Sequence, residues 1–66
     1  MMETIGKRIR ARRKELGMSQ VVLSQKSNVS RLVISRLENG KLENCLVSTL
    51  TSIANALGAE VHIFFT

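Results

Sequence analysis

SQVVLSQKSNVSRLVISRLENG, residues 19–40, decides how this chain is read. Ser19 and Ser30 each stand just before a helical pattern, where a hydroxyl accepts a hydrogen bond from a free backbone N–H of the first turn. The spacing predicts two short helices, residues 20–26 and 31–39. Asn28 falls at the corner between them, and asparagine is the non-glycine residue that best tolerates left-handed backbone. Gly40 is placed to close the second helix as the first residue past its cap.

Turned at 100° per residue, the second helix divides into two faces. Arg31, Leu32, Ser35, Arg36 and Asn39 share one side. Val33, Ile34 and Leu37 share the other, toward a core, with Glu38 near the boundary. The first set is the chemistry that reads a DNA major groove: arginine pairs bidentately with guanine, asparagine with adenine, and an apolar side chain touches a thymine methyl. The same set also fits an ordinary solvated polar face, and the helix by itself does not choose between them.

The wider pattern resembles the helix-turn-helix of the lambda-repressor-like, or xenobiotic-response-element, family of bacterial and phage regulators. The resemblance lies in the Ser19-Gln20 pair, the small Ser24 where two helices approach, Val29-Ser30-Arg31, and the run from Ile34 to Gly40. IGKRIRARRKELGMSQ looks like the family's first helix and IANALG like the end of its fourth, so the likeness covers roughly residues 4–58. It implies an all-α, compact four-helix DNA-binding domain whose second short helix enters the major groove. It also implies that Gln20 holds a DNA phosphate. Three positions depart from the family pattern: Ser27 replaces a usual leucine, Asn28 a usual glycine, and Val21-Val22 common acidic residues.

Charge distribution agrees with that expectation. Residues 1–41 carry all ten Lys and Arg against Glu3, Glu15 and Glu38, a net of +7, whereas residues 42–66 carry only Glu43 and Glu60, a net of −2. Basic charge concentrated on the helix-turn-helix and the helix before it is the footprint of a nucleic-acid binder. Single-strand binding by base stacking is disfavoured, because there is no Trp or Tyr and the two Phe are adjacent. No apolar run reaches the length of a membrane span, and a basic helix without bulky aromatics is poorly suited to a membrane surface. The single Cys45 permits no internal disulfide and reads as a small buried apolar residue in a reducing cytoplasm. No metal cluster, general acid–base pair or phosphate loop is present in the sequence, so neither a cofactor nor an enzyme activity is expected.

Helix 1 is expected from residue 3 or 4 to Gly17, with Ile5, Ile9 and Leu16 inward. Arg12 and Arg13 flank that stripe, and a partly buried arginine requires a partner, for which Glu38 is placed. The resemblance selects Arg13 for this structural ion pair. In the helix expected over residues 20–26 only Leu23 is a strong core residue, and Val21 and Val22 read as surface valines. Lys41 and Asn44 follow Gly40, where they can touch backbone phosphates. Helix 4 is expected from residue 45 or 46 to 57, with Leu46, Leu50, Ile53 and Leu57 on its core stripe and Gly58 at its end.

The final stretch, residues 59–66, alternates like a β-strand, with Val61, Ile63 and Phe65 on one side and Glu60, His62 and Phe64 on the other, the alternative being a fifth helix with dimerisation by helix packing. A strand without a partner leaves both edges unpaired, so this one is expected to pair antiparallel with its copy across a twofold axis. Val61, Ile63, Phe64 and Phe65 would then make a homodimer, and the ending resembles HipB-like antitoxins of the same superfamily. Residues 1–66 are expected to form one helix-turn-helix domain with no room for an attached sensor. The expected function is a cytoplasmic, nucleoid-associated homodimeric repressor on a palindromic double-stranded DNA operator, with Gln20, Ser30, Arg31, Leu32, Ser35, Arg36, Asn39 and Lys41 at the DNA. The alternative is an antitoxin whose main task is to bind a cognate toxin protein.

Overall fold

The computed structural model describes residues 2–41 and 46–59. Their regular structure consists of four helices: α1 (Met2–Glu15), α2 (Gln20–Ser27), α3 (Arg31–Glu38) and α4 (Val47–Ala56). The expected strand carrying Val61, Ile63, Phe64 and Phe65 lies outside the described residues, as do Asn44 and Cys45. No described helix is long and apolar enough to cross a membrane.

The local signals operate at the helix ends. Ser19 Oγ accepts from the Val22 N–H at 3.1 Å and Ser30 Oγ from the Leu32 N–H at 3.1 Å, each satisfying a donor that has no partner inside its helix. Gly40, at φ +69°, ends α3 through two bonds: its own N–H donates to the Leu37 carbonyl and that of Lys41 to the Arg36 carbonyl. The pair of bonds is a Schellman closure, which needs left-handed backbone at its turning residue. α1 and α4 end by the same two bonds, at Gly17-Met18 and Gly58-Ala59.

The corner between α2 and α3 turns on Asn28, the one described non-glycine residue with positive φ, at 59°. Two serines secure it. Ser27, which stands where the family usually has leucine, is buried; its hydroxyl donates to the Leu23 carbonyl at 2.7 Å and accepts from the Val29 N–H at 3.2 Å. Ser24 donates to the Val29 carbonyl at 2.6 Å. Both backbone groups of Val29 are thus satisfied by side chains, so the corner keeps its hydrogen bonds despite the missing leucine.

The core draws on every helix: Ile5 and Ile9 from α1, Leu23 from α2, Ile34 and Leu37 from α3, and Leu50, Ile53 and Ala54 from α4, with Leu57 just beyond it. Fully burying one such large aliphatic side chain contributes about 1.5–3 kcal/mol. α1 packs on α3, and α2 packs on both α3 and α4. Gly6 lies at the closest α1–α3 approach, where a Cβ would run into the Leu37 carbonyl.

Three core assignments from periodicity are corrected. Val33 is half-buried and stands outside the core cluster, at the edge of the inward face of α3. Leu16 is 43% exposed, because α1 stops at Glu15 and the chain turns away before the side chain can reach inward. Leu46 is 73% exposed; it is the N-cap of α4 in extended backbone, so it does not share the helical stripe of Leu50, Ile53 and Leu57.

Candidate nucleic-acid interface

α3 is held from behind by a polar junction that joins four parts of the chain. Arg13 of α1 donates from Nε to Glu38 Oε2 at 2.8 Å and from Nη2 to Glu38 Oε1 at 2.9 Å. Its Nη1 donates to the Met18 carbonyl at 2.7 Å, in the connection to α2. Gln20, the first residue of α2, donates from Nε2 to Glu38 Oε1 at 3.2 Å. Arg13 and Glu38 are both buried. The bidentate geometry and the two further bonds satisfy the groups that a buried pair otherwise leaves unpaired. The hydrogen bonds with Glu38 hold the Arg13 guanidinium above its ordinary pKa, aided by the attraction of the two charges and opposed by burial.

With Gly6 against the Leu37 carbonyl and the Arg13 fork on Glu38, the last turn of α3 is fixed to α1 in both position and rotation. The opposite face is consequently fixed as well. Arg31, Leu32, Arg36 and Asn39 are exposed and Ser35 is half-buried, all within one sector of the helix. Arg31, Leu32 and Ser35 line a surface depression at the N-terminal half of this face. The Asn39 amide approaches Ser35 Oγ at 3.5 Å.

The flanking candidates divide. Ser30 is exposed at the start of α3, its hydroxyl oxygen accepting the Leu32 N–H, and Lys41 is exposed just past Gly40. Gln20 is half-buried and bonded to Glu38, which orients its amide at the start of α2. An amide carries two N–H donors, so this bond does not exhaust it.

Three structural residues escaped sequence reasoning. Arg12 Nε donates to the Leu57 carbonyl at 3.2 Å, joining the end of α1 to the end of α4, 45 residues away. The Met18 carbonyl completes the Arg13 site. Gly6, in a helix interior where glycine costs about 1 kcal/mol relative to alanine, offered the one available signal: such a residue calls for a packing reason.

Comparison with known proteins gives this arrangement its relatives. The helix-turn-helix family matches residues 9–64. The immunity repressor protein of Bacillus phage phi105 is 43% identical over 58 residues, covering 88% of this chain and 40% of that protein. A chain from the complex of SinR protein with SinI protein superposes with a TM-score of 0.87 at 32% identity, covering 91% of this chain and 58% of that one. The chain therefore spans less than two thirds of either relative. The four helices, the α2–α3 corner and these matches lead to one conclusion: the chain belongs to the helix-turn-helix family, of the lambda-repressor-like type.

Proposed function

We propose that this chain is a sequence-specific repressor that inserts α3 into the major groove of double-stranded DNA and binds a palindromic operator as a homodimer. The observation that carries this reading is the rigidly backed outward face of α3, which presents Arg31, Leu32, Ser35, Arg36 and Asn39 together. Groove reading needs such rigidity, because a base contact discriminates only if its donors arrive in fixed register. Arg31 and Arg36 act at base edges or adjacent phosphates, and Ser35 lies between them. Gln20, Ser30, Asn39 and Lys41 act mainly on the backbone, where contacts set orientation without reading sequence.

The Gln20–Glu38 bond gives this scheme a physical link. Glu38 belongs to the groove-entering helix and Gln20 to the helix that crosses the backbone, so the phosphate contact and the base contacts are positioned by one carboxylate. Resemblance to a phage immunity repressor supports repression as the output, and the basic charge of residues 1–41 supports the nucleoid of the cytoplasm as its place. Dimerisation through residues 59–66, with Val61, Ile63, Phe64 and Phe65 at the contact, would set two copies of α3 about 34–36 Å apart, one turn of DNA.

A second reading has its own support. The structural relative comes from a complex of two proteins, and Val21, Val22, Leu46 and Val47 are exposed apolar residues here. Under that reading the chain is an antitoxin that neutralises a toxin protein, with DNA binding secondary. Selection of duplex DNA from a random pool, together with the mass of the protein alone and on the selected duplex, tests the leading proposal. It requires a preferred, twofold-symmetric sequence bound by two copies with affinity that falls steeply with salt. A pool that yields no preferred sequence would reject it.

A further inference from the structure

The two adjacent arginines near the end of α1 hold different parts of the molecule. Arg13 grips Glu38 at the end of α3 and the Met18 carbonyl, whereas Arg12 donates from Nε to the Leu57 carbonyl at 3.2 Å, at the end of α4. Neighbouring residues stand about 100° apart around a helix, so a single turn of α1 reaches both ends at once. Burial does not force the second grip. The Arg12 side chain is 37% exposed and a guanidinium so placed can extend into water, yet it lies between Leu57 and the Glu15 carboxylate, which its Nη1 approaches at 3.4 Å.

Leu57 is the C-cap of α4, and its carbonyl is among those that a helix end leaves without an internal partner. Directly after it the chain leaves α4 through the Gly58-Ala59 closure, whose two bonds run back to the Asn55 and Ala54 carbonyls. Those bonds fix the exit relative to α4 alone. α1 and α4 are not among the closely packed helix pairs, and α4 is seated on the domain by the buried Leu50, Ile53, Ala54 and Leu57. Apolar contact is non-directional: it keeps surfaces together without selecting one rotation between them. The Arg12 bond supplies a direction.

We infer that Arg12 sets the separation of the two half-sites, as a positioning residue that fixes where the chain leaves the domain relative to the reading helix. This rests on the dimeric operator proposed above and makes it more specific. From α3 to the exit the path runs through Glu38, Arg13, Arg12 and Leu57, all joined by directed hydrogen bonds or by adjacency in α1. In a dimer joined beyond Ala59, the twofold axis doubles any error in that path. One extra base pair moves a half-site by about 3.4 Å and turns it by roughly 35°, so a domain held in one orientation should accept one spacing and reject its neighbours.

The test uses the half-site selected from the random pool, rebuilt as inverted repeats at the selected separation and at separations one or two base pairs shorter and longer. The wild type should bind the selected separation most tightly. Arg12→Met keeps an unbranched side chain and loses the donor, and the preference for the selected separation over its neighbours should fall about tenfold, the order expected for a lost hydrogen bond from a charged group. Arg12→Lys keeps a donor and should recover part of that preference. Base preference within the half-site should stay that of the wild type in both variants, because Arg13 and Gly6 still hold α3. A spacing profile unchanged by Arg12→Met would overturn the inference while leaving the dimeric operator standing. So would a loss of base preference, or of the folded state, in step with the loss of spacing preference, since Arg12 would then be a general stabilising residue. A pool that yields no twofold-symmetric sequence would overturn the dimeric operator and this inference together.

Discussion

The two faces of α3 are built on opposite principles. Inward, Ile34, Leu37 and Glu38 are buried, each fixed by something specific: the core, the close approach of Gly6, or the Arg13 fork. Outward, Arg31, Leu32, Arg36 and Asn39 are exposed and their side chains bear on nothing in the core. The inward residues determine where α3 is, and the outward residues determine what it meets. Substitutions on the two faces should therefore separate stability from recognition, although the residues alternate along nine successive positions, α3 and its C-cap Asn39.

The largest effect should come from breaking the inward side at its charge. Arg13→Met leaves Glu38 buried with, among the described residues, only Gln20 as a side-chain partner, and losing one member of a buried pair typically costs about 3–5 kcal/mol. For a domain this small that is a large share of total stability. The double variant Arg13→Met, Glu38→Leu removes both charges and should recover much of the loss in thermal melts. Equal, small losses in the two variants would mean that the pair is solvated and that α3 is held by packing alone. The raised pKa of Arg13 fixes the sign of the pH dependence. Its contribution is present below the unfolded arginine value and is lost only as pH rises through the still higher folded value, so melts between neutral and moderately alkaline pH should show no loss from this group.

Next in size, Gly6→Ala should sharpen the same side from the α1 surface. Alanine is the better helix former, yet its methyl would meet the backbone carbonyl of Leu37, which a rotamer change cannot move. Overpacking of this kind costs about 1–3 kcal/mol and shifts the helices apart. A melting temperature equal to or above that of the wild type would show that α1 and α3 have slack between them.

What the sequence disclosed follows the range of each interaction. Ser19, Ser30, Asn28 and Gly40 act within four residues of their own position, so their hydroxyls and backbone preferences could be read directly from order along the chain. The core stripe of α3 was legible for the same reason, since a helix converts spacing into facing. Leu16 and Leu46 misled because an apolar residue just outside a helix continues the spacing after the geometry that gave it meaning has stopped. Arg12 at the Leu57 carbonyl and Gly6 at the Leu37 carbonyl depend on how α1 is placed in space. Neither has a local pattern to announce it. Glu38 could be placed as an arginine's partner from the faces of α3, and family likeness selected Arg13; the bonds to Met18 and Gln20 depend on how separate segments meet in space.

On the outward side, Arg31→Ala and Arg36→Ala should leave thermal stability within about 0.5 kcal/mol, as surface changes usually do. A lost bidentate base contact should weaken binding of the selected duplex by about 1–3 kcal/mol and relax preference at one base pair. A lost phosphate contact should weaken all sequences alike and reduce the salt dependence by about one counterion. If both variants bound with unchanged affinity and preference, the outward face would not be the reading face.

Ser30 sits where the two sides meet, and it offers the smallest but most discriminating comparison. Its hydroxyl oxygen caps α3 by accepting the Leu32 N–H, while the hydroxyl proton remains a donor of the kind that a phosphate accepts. Ser30→Ala removes both capacities and should cost about 1 kcal/mol of stability, the usual value of a lost cap. Ser30→Asp keeps the cap, and its negative charge at a helix N-terminus is favourable, so melting should be unchanged or slightly higher. Toward DNA the order should reverse. Alanine merely forfeits one hydrogen bond, whereas the aspartate carboxylate would face a phosphate with a like charge and no proton to give. The expected ranking is thus aspartate above alanine in thermal melts and alanine above aspartate in affinity for the selected duplex. Parallel losses in both measurements would mean that the cap and the DNA contact are one function, and that the division between the faces of α3 does not extend to its first turn.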